Sequence, residues 1–510
     1  MIELSEPSPM LVVAVGGRIG SGCSLVRDGL IQSLRTYGYE VEIIDVTKVF
    51  IENADDLLGE TDSMQEDADL PEPAKRIRML QRNGNRLRRK YGNEIISSLC
   101  ISEVIEQDVK EKDILNLGKR TAYIIDSLKH PAEVKLLRNV FRRSFYMVGV
   151  VASDLVRSIR LKERKGFDDR IFEDISKIDA NESLKSDAGE KYGQQTVDAV
   201  TMADYFFSND YATPEQIQSE CDRLLKLVFG IQVVSPRLDE VGMQTAFKVA
   251  KRSACLSRQV GAAIFDEEGN VLSVGRNDVP RSGGGLYDAE SENDGRCFVR
   301  GGKCYNDEEK GLIATELAKA LKDGGFLSQK AKKDLDELAK YLLSNTRIRG
   351  LIEFSRAVHA EANSIISVAR TGKQGLIGST LFCTTFPCHN CTKHIIDAGI
   401  KRVVYLEPYE KSLARKLHGD AVNSPGSEQL KTRLSFDLYG GVSPRRFDEF
   451  FEAPASPNQE RKKSGKFVDL NRTREALMPV GAQEREVISG RIKFVVEKIR
   501  EKIENPLASK

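Results

Sequence analysis

Four side chains in one short stretch have the types and spacing for hydrolytic chemistry at a metal. His359-Ala360-Glu361 is followed by Pro387-Cys388-His389-Asn390-Cys391, with Cys388 29 residues after the histidine. One neutral imidazole, His359, and two thiolates, Cys388 and Cys391, form a donor set that suits Zn²⁺ and leaves a fourth position open for water. Zinc lowers the pKa of such a water toward about 7, which makes hydroxide available at neutral pH. Glu361 is not needed as a ligand and is the carboxylate placed to carry protons. The bland alternative is a core histidine, a solvated glutamate and two buried cysteines, which requires all four to fall in this order by accident.

The elements around these residues must bring them together. Ser355 to Arg370 reads as a helix, with Val358, Ala362, Ile365, Ile366 and Ala369 as a mostly apolar stripe and Thr371-Gly372 as a stop. Residues two apart lie about 200° apart around a helix, so His359 and Glu361 converge only at its start, reaching end-on into a pocket. Cys388 and Cys391 are three apart at the start of a second helix and share a face. The positive end of that helix favours thiolates.

At 510 residues the chain is long enough for two or three domains, and 40% hydrophobic content supports real cores. No run approaches the roughly 18 apolar residues of a membrane span. Nine cysteines, unevenly spaced, fit a reducing cytoplasm better than a disulfide framework. A net charge of +1 gives the whole chain no electrostatic case for nucleic-acid binding.

Leu11 to Val15 reads as a buried parallel strand running into Gly16-Gly17-Arg18-Ile19-Gly20-Ser21-Gly22-Cys23-Ser24 and an amphipathic helix to about Thr36. Strand, glycine-rich loop and helix is the setting in which backbone N–H groups cradle phosphate. Gly17, Gly20, Ser21, Gly22, Cys23 and Ser24 are the candidate nucleotide-binding residues, with Cys23 where the pattern has lysine, so phosphoryl transfer is not expected. Further strands are expected at Glu40–Asp45, Thr121–Asp126, Phe145–Ala152 and Ala203–Asn209, alternating with helices, which implies a doubly wound, mostly parallel sheet. Residues 1–236 resemble the P-loop nucleoside and nucleotide kinases, which implies nucleotide in the glycine-rich loop. Lys75 to Lys90 carries eight Lys or Arg and no acid, and Arg142, Arg143, Arg157, Arg160, Arg164 and Lys165 add more. Phosphate clamps, a nucleic-acid patch and solvated basic helices are three readings of these runs.

Past a linker at Ile231 to Asp239, a helix at Glu240–Ala254, a hairpin of Val260–Phe265 and Val271–Val274, and strands Thr380–Thr385 and Arg402–Leu406 complete one α/β domain around the His359 and Cys388 helices. Arg258-Gln259-Val260-Gly261, Gly275-x-Asn277 with Pro280, His359-Ala360-Glu361 and Pro387-Cys388-x-x-Cys391 resemble deoxycytidylate deaminase. With the kinase-like first half, the organisation is similar to the bacterial anti-phage dCTP/dCMP deaminases. That resemblance implies a cytidine-deaminase-like α/β fold and hydrolysis of free deoxycytidine nucleotides, dCTP or dCMP, to uracil nucleotides plus ammonia, depleting dCTP during infection. It also implies Asn277 on the sugar 3′-hydroxyl, substrate contacts from Arg258, Ala360 and Tyr409, a homo-oligomer such as a hexamer, and a small inhibitory RNA as partner. Lys411, Arg415 and Lys416, beside a Glu407-Pro408-Tyr409 loop, are further phosphate candidates or ordinary surface residues.

The domain is expected to span 237–475, interrupted by an insertion at 281–350 that starts rich in glycine and acid and continues as helices from Lys310 to Ser344. Cys297 and Cys304, separated by six residues within it, could join a second zinc site if further ligands were near. His389 lies between the two ligand cysteines and reads as exposed or as near the pocket. Phe447, Phe450 and Phe451 are expected to pack on the same domain, Pro454 to Lys466 to be exposed, and Glu484 to Ile503 to form a helix within an extension at 476–510. Two other functions stay open. One is a polynucleotide cytidine or adenosine deaminase using the basic runs. The other is a deaminase gated by a catalytically dead, nucleotide- or RNA-sensing first half.

Overall fold

The computed structural model describes residues 10–59, 69–110, 120–181, 192–229, 234–329, 334–372, 375–409, 412–423 and 432–451, with the isolated position 497. The expectations for 454–466, for Glu484–Ile503 within the 476–510 extension (position 497 apart) and for Lys411 fall outside these residues. The chain divides into one unit of Met1–Pro236 with Gly440–Lys510 and a second of Arg237–Tyr439. Among the described residues no helix is long and apolar enough to cross a membrane.

The first unit is built on strands β1 (Leu11–Gly17), β2 (Glu40–Asp45), β3 (Thr121–Asp126), β4 (Phe145–Val151) and β5 (Tyr205–Ser208). They pair in parallel in the order β5-β4-β1-β3-β2. β1 is buried throughout, as a strand covered on both faces must be. Leu11, Val13 and Val15 point to the helices Cys23–Thr36 and Pro214–Phe229, packing with Val26, Leu30, Cys221 and Leu224. Successive strand residues face opposite ways, which leaves Val12 and Ala14 to the other face, where the Thr196–Val200 helix contacts β1 and β4.

The chain returns to this sheet near its end. Strand β11 (Gly441–Val442) pairs antiparallel with β5, and Val442 and Phe450 are buried in the first unit's core, with Phe451 packed against it. Arg446 bonds Asp204 at 3.1 Å. The three phenylalanines were expected on the deaminase domain; Phe450 and Phe451 instead pack in the other core. β5 offered an open edge whose backbone groups needed partners, and the aromatic pattern does not say which core receives it.

The second unit holds β6 (Gly261–Phe265), β7 (Val271–Arg276), β8 (Thr380–Thr385), β9 (Arg402–Glu407) and β10 (Ser435–Leu438), ordered β10-β9-β8-β6-β7. β6 and β7 form the hairpin, and β8, β9 and β10 run parallel to one another. Ala262, Ile264, Leu381 and Cys383 face the helix Ala360–Thr371 and the helix His389–Asp397, while Phe382 packs behind them against Gly242 of the helix Leu238–Ala250. Arg402 bonds Asp239 at 2.7 and 2.8 Å and Asp437 at 2.6 Å, tying that rear helix to β9 and β10. The insertion carries helices Tyr305–Asp323 and Leu335–Asn345, packed through Ala314, Ala318 and Ala339.

Candidate metal centre and pocket

His359 precedes the helix Ala360–Thr371 as its N-cap, with extended backbone at φ −70°, ψ 154°. The helix begins five residues later than the apolar stripe suggests, because Val358 is held extended by a bridge to Asp278, its N–H donating to the Asp278 carbonyl at 3.0 Å. Gly275 in β7 lets this helix lie flat on the sheet: a Cβ there would come 2.2 Å from the Ala360 carbonyl oxygen and 2.5 Å from the Ser364 nitrogen. Cys388 is the N-cap of the second helix, its sulfur accepting from the Cys391 N–H at 3.4 Å. Both donor groups thus project from helix starts, where the helix dipole favours negative sulfur.

The His359 Nδ1 lies 3.3 Å from Cys388 Sγ and 3.4 Å from Cys391 Sγ, and one donor atom from each residue falls within 4.8 Å of the others. Hydrogen bonds from Cys391 and His359 hold the Cys388 thiol down to about 4, and the bond to Cys388 raises His359 to about 9. One nitrogen and two sulfurs are the donor chemistry that zinc takes, so the trio fits that ion. Glu361 is buried beside it at 4% exposure, and burial raises its carboxyl above the ordinary value, against the pull of the His359 charge.

His359, Glu361 and Cys388 open onto a cavity of about 170 Å³ that also touches Arg258, Asn277, Ala360 and Tyr409. All four substrate-contact candidates therefore reach one wall or another of that same space. Asn277 does so while holding the loop before β6: its Oδ1 accepts from Val260 N–H and its Nδ2 donates to the Arg258 carbonyl, both at 2.7 Å. Arg258 pairs with Glu407 at 3.4 Å. Arg415 stacks on Phe386 and Phe436, its guanidinium carbon 5.8 and 5.5 Å from the ring centres, and Lys416 is exposed. His389 is only partly exposed, 3.9 Å from Glu353.

The insertion supplies part of this wall. Cys297, Cys304, Tyr305 and Asn306 line the cavity, joined by Cys255 from the preceding loop and by Arg356. Sequence reasoning gave Cys255, Tyr305, Asn306 and Arg356 no role, since they lie in turns or at a helix start where no periodicity marks a facing side. Among the described residues His359, Cys388 and Cys391 are the one His/Cys/Asp/Glu group close enough to hold a metal. Cys297 and Cys304 belong to no such group among the described residues. Replacing both by serine (C297S/C304S) is expected to leave bound zinc at about one per chain by elemental analysis. A fall of one zinc per chain would restore the second site.

In the first unit the glycine-rich loop joins β1 to the Cys23–Thr36 helix, with Gly22 as the N-cap at φ 90°, a conformation that disfavours any side chain. Gly17, Gly20, Ser21, Gly22, Cys23 and Ser24 lie together in this turn and the first helical residues. Much of the loop's polar capacity is spent inside the unit. The Ile19 N–H donates to the buried Asp179 carboxylate at 2.8 Å, and Lys129 Nζ donates to the Gly17 carbonyl at 2.7 Å and to Asp179 at 2.9 Å. Burial opposes charge on Asp179, but Lys129 and Arg157 outweigh it and hold the carboxyl below its ordinary value. Desolvation pushes the Cys23 thiol up, so it adds no charge. Arg157 and Arg160, candidate phosphate clamps, bond the Ile19 and Ser21 carbonyls at 2.7 and 3.3 Å. Neither Asp179 nor Lys129 belongs to the glycine motif, and only the fold brings them to it.

The basic run at Lys75–Lys90 lies on the helix Glu72–Tyr91 and is largely paired within the unit. Arg76 bonds Glu52, Arg86 bonds Asp55, and Arg88 is buried against Glu133.

An α/β sheet carrying a His/Cys/Cys trio at two helix starts, with a buried glutamate opening on the same cavity, defines a hydrolytic metal-site class of domain. Residues 236–407, within the second unit but for the first, match the cytidine and deoxycytidylate deaminase zinc-binding region. The deoxycytidylate deaminase of Enterobacteria phage T4 is 28% identical over 199 residues, which are 39% of this chain and 86% of that protein. The deoxycytidylate deaminase of Pongo abelii is 26% identical over 208 residues, 41% of this chain and 78% of the relative. Among solved structures, the dCMP deaminase of cyanophage S-TIM5 aligns over 40% of this chain and 99% of its own, at 20% identity and a TM-score of 0.22.

Proposed function

We propose that the second unit deaminates free deoxycytidine nucleotides, dCMP or dCTP, to the corresponding uracil nucleotide and ammonia. The observation that carries this reading is the buried Glu361 opening on the same cavity as His359 and Cys388, with Cys391 grouped against those two behind it. The three ligands would hold zinc, which when bound supplies the Lewis acidity that makes water nucleophilic at neutral pH. Glu361 accepts a proton from the attacking water and delivers it to N3 of the cytosine as the C4–O bond forms, then takes the second proton from the new C4 hydroxyl and passes it to the amine as the C4–N bond breaks, leaving a C4 carbonyl and ammonia. Its burial suits this task, because a carboxyl raised from its ordinary value holds a proton between steps and still gives it up. Asn277 sets the loop that carries Arg258 and has one Nδ2 N–H left for the sugar, while Tyr409 closes another part of the wall.

Free nucleotides are favoured over a polynucleotide because the basic helix that motivated the latter spends many of its charges on internal carboxylates. A gating first unit is supported by one observation: its phosphate-loop groups are engaged by Asp179, Lys129 and two arginines, which suits sensing or scaffolding better than phosphoryl transfer. A P-loop kinase-like ancestry of that unit, a small RNA partner, assembly into a homo-oligomer and a role in depleting dCTP against phage complete the proposal. Each rests on the sequence resemblance, and the β5-β4-β1-β3-β2 order is compatible with the first.

The test is release of ammonia and uracil nucleotide from dCTP, dCMP, CTP and dATP, with bound zinc counted. Turnover of a deoxycytidine nucleotide, lost on chelation and restored by zinc, is expected. Silence on all four with zinc bound would favour a polynucleotide substrate or an enzyme held inactive by its first unit over the ungated free-nucleotide reading.

A further inference from the structure

The cavity wall contains two arginines with different electrostatic situations. Arg258 shares its charge with Glu407 at 3.4 Å and is half-exposed. Arg356 makes no ion pair among the described residues, and its Nη1 is buried without a hydrogen-bond partner. A guanidinium carries five N–H donors in a planar fork matched to phosphate and carboxylate oxygens. Leaving one of them buried and unmet is a cost that a bound anion would remove. Arg356 is also held in place. Its guanidinium lies over the Tyr305 ring with the carbon 5.2 Å from the centroid, and Asn306 Nδ2 donates to the Leu351 carbonyl at 3.0 Å, fastening the insertion's helix start to the segment that leads to His359. That segment is fixed on its other side by the Asp278–Val358 bridge.

We propose that Arg356 binds the 5′-phosphate of the substrate nucleotide and that Tyr305, from the insertion, presets it for that contact. The proposal rests on the deaminase reading above and adds to it the residue that separates nucleotides from nucleosides. Arg356 then acts through substrate affinity, while Glu361 and the metal ligands act on the base.

The experiment compares dCMP with deoxycytidine as substrates for the zinc-loaded full chain and for R356Q, R356K and Y305L. In R356Q the ratio of kcat/KM for dCMP over deoxycytidine is expected to fall by about 10- to 100-fold, the worth of a charged hydrogen bond, mostly through KM for dCMP. R356K should recover part of the loss, because it restores charge without the fork, and Y305L should move the ratio in the same direction by less. An arginine with a merely structural role would lower both substrates together and leave the ratio unchanged, which overturns the proposal. Calorimetric binding of dUMP and deoxyuridine to the same proteins is read alongside. If the parent turns over neither substrate, the deamination reading fails by itself, and loss of dUMP preference in R356Q still decides the role of Arg356.

Discussion

Replacing Glu361 by glutamine is expected to lower kcat on the best nucleotide by about 10²- to 10⁴-fold, the usual contribution of a positioned proton carrier. Glutamine keeps the size and most of the hydrogen bonding of the side chain but cannot accept and return a proton. Zinc should remain at the parent's level, because the donor atoms come from His359, Cys388 and Cys391 and none from Glu361. Stability should hold or rise, since burial penalises the Glu361 charge and the amide removes that penalty. Three measurements on one preparation check it: steady-state kcat, zinc per chain and Tm. A variant with full zinc and kcat near the parent's would remove Glu361 from the chemistry and leave only its place in the pocket.

The second large effect is on stability and falls in the first unit. Arg88 and Glu133 are 1% and 0% exposed, joined by bonds of 3.0 Å from Nε and 2.6 Å from Nη2 to Oε1. The other carboxylate oxygen accepts the Lys129 and His130 N–H groups at 2.9 and 3.0 Å, and this closes the capping box of the helix Pro131–Phe141. R88M strands a buried carboxylate without its cation, and about 3–5 kcal/mol of destabilisation is expected. The double variant R88M/E133Q should recover a good part of that, because the remaining group is neutral and keeps its backbone donors. Urea denaturation followed by circular dichroism, with intact m-values, measures both. Equal losses in the single and double variants would mean that the shape of the arginine matters more than the charge pair.

The reach of sequence reasoning can be seen residue by residue. His359, Glu361, Cys388 and Cys391 were legible because ligand chemistry restricts residue type and because their spacing put them at helix starts. The boundaries of strands β3 and β8 followed from apolar runs between turn signals, which report burial directly. The start of the His359 helix was misplaced, since a stripe of apolar residues continues through Val358 whether that residue is helical or bridged to Asp278. The basic helix illustrates the same limit from another side. Eight cations between Lys75 and Lys90 look like a surface for anions until Glu52, Asp55 and Glu133 arrive from distant parts of the chain to pair Arg76, Arg86 and Arg88.

By itself, then, the sequence singled out the His359, Cys388 and Cys391 set that the fold brings together, the candidate proton carrier Glu361 and the alternation of strand and helix around them, because each is a local matter of residue type and period. Tertiary structure alone decided that Phe450 completes the first core, that Asp179 and Lys129 engage the glycine loop, and that Tyr305 of the insertion seats Arg356 in the wall beside the metal trio. These are contacts between segments far apart in the chain. No local pattern encodes them, since they are chosen by which exposed edges, buried charges and cavities the packed elements leave to be satisfied.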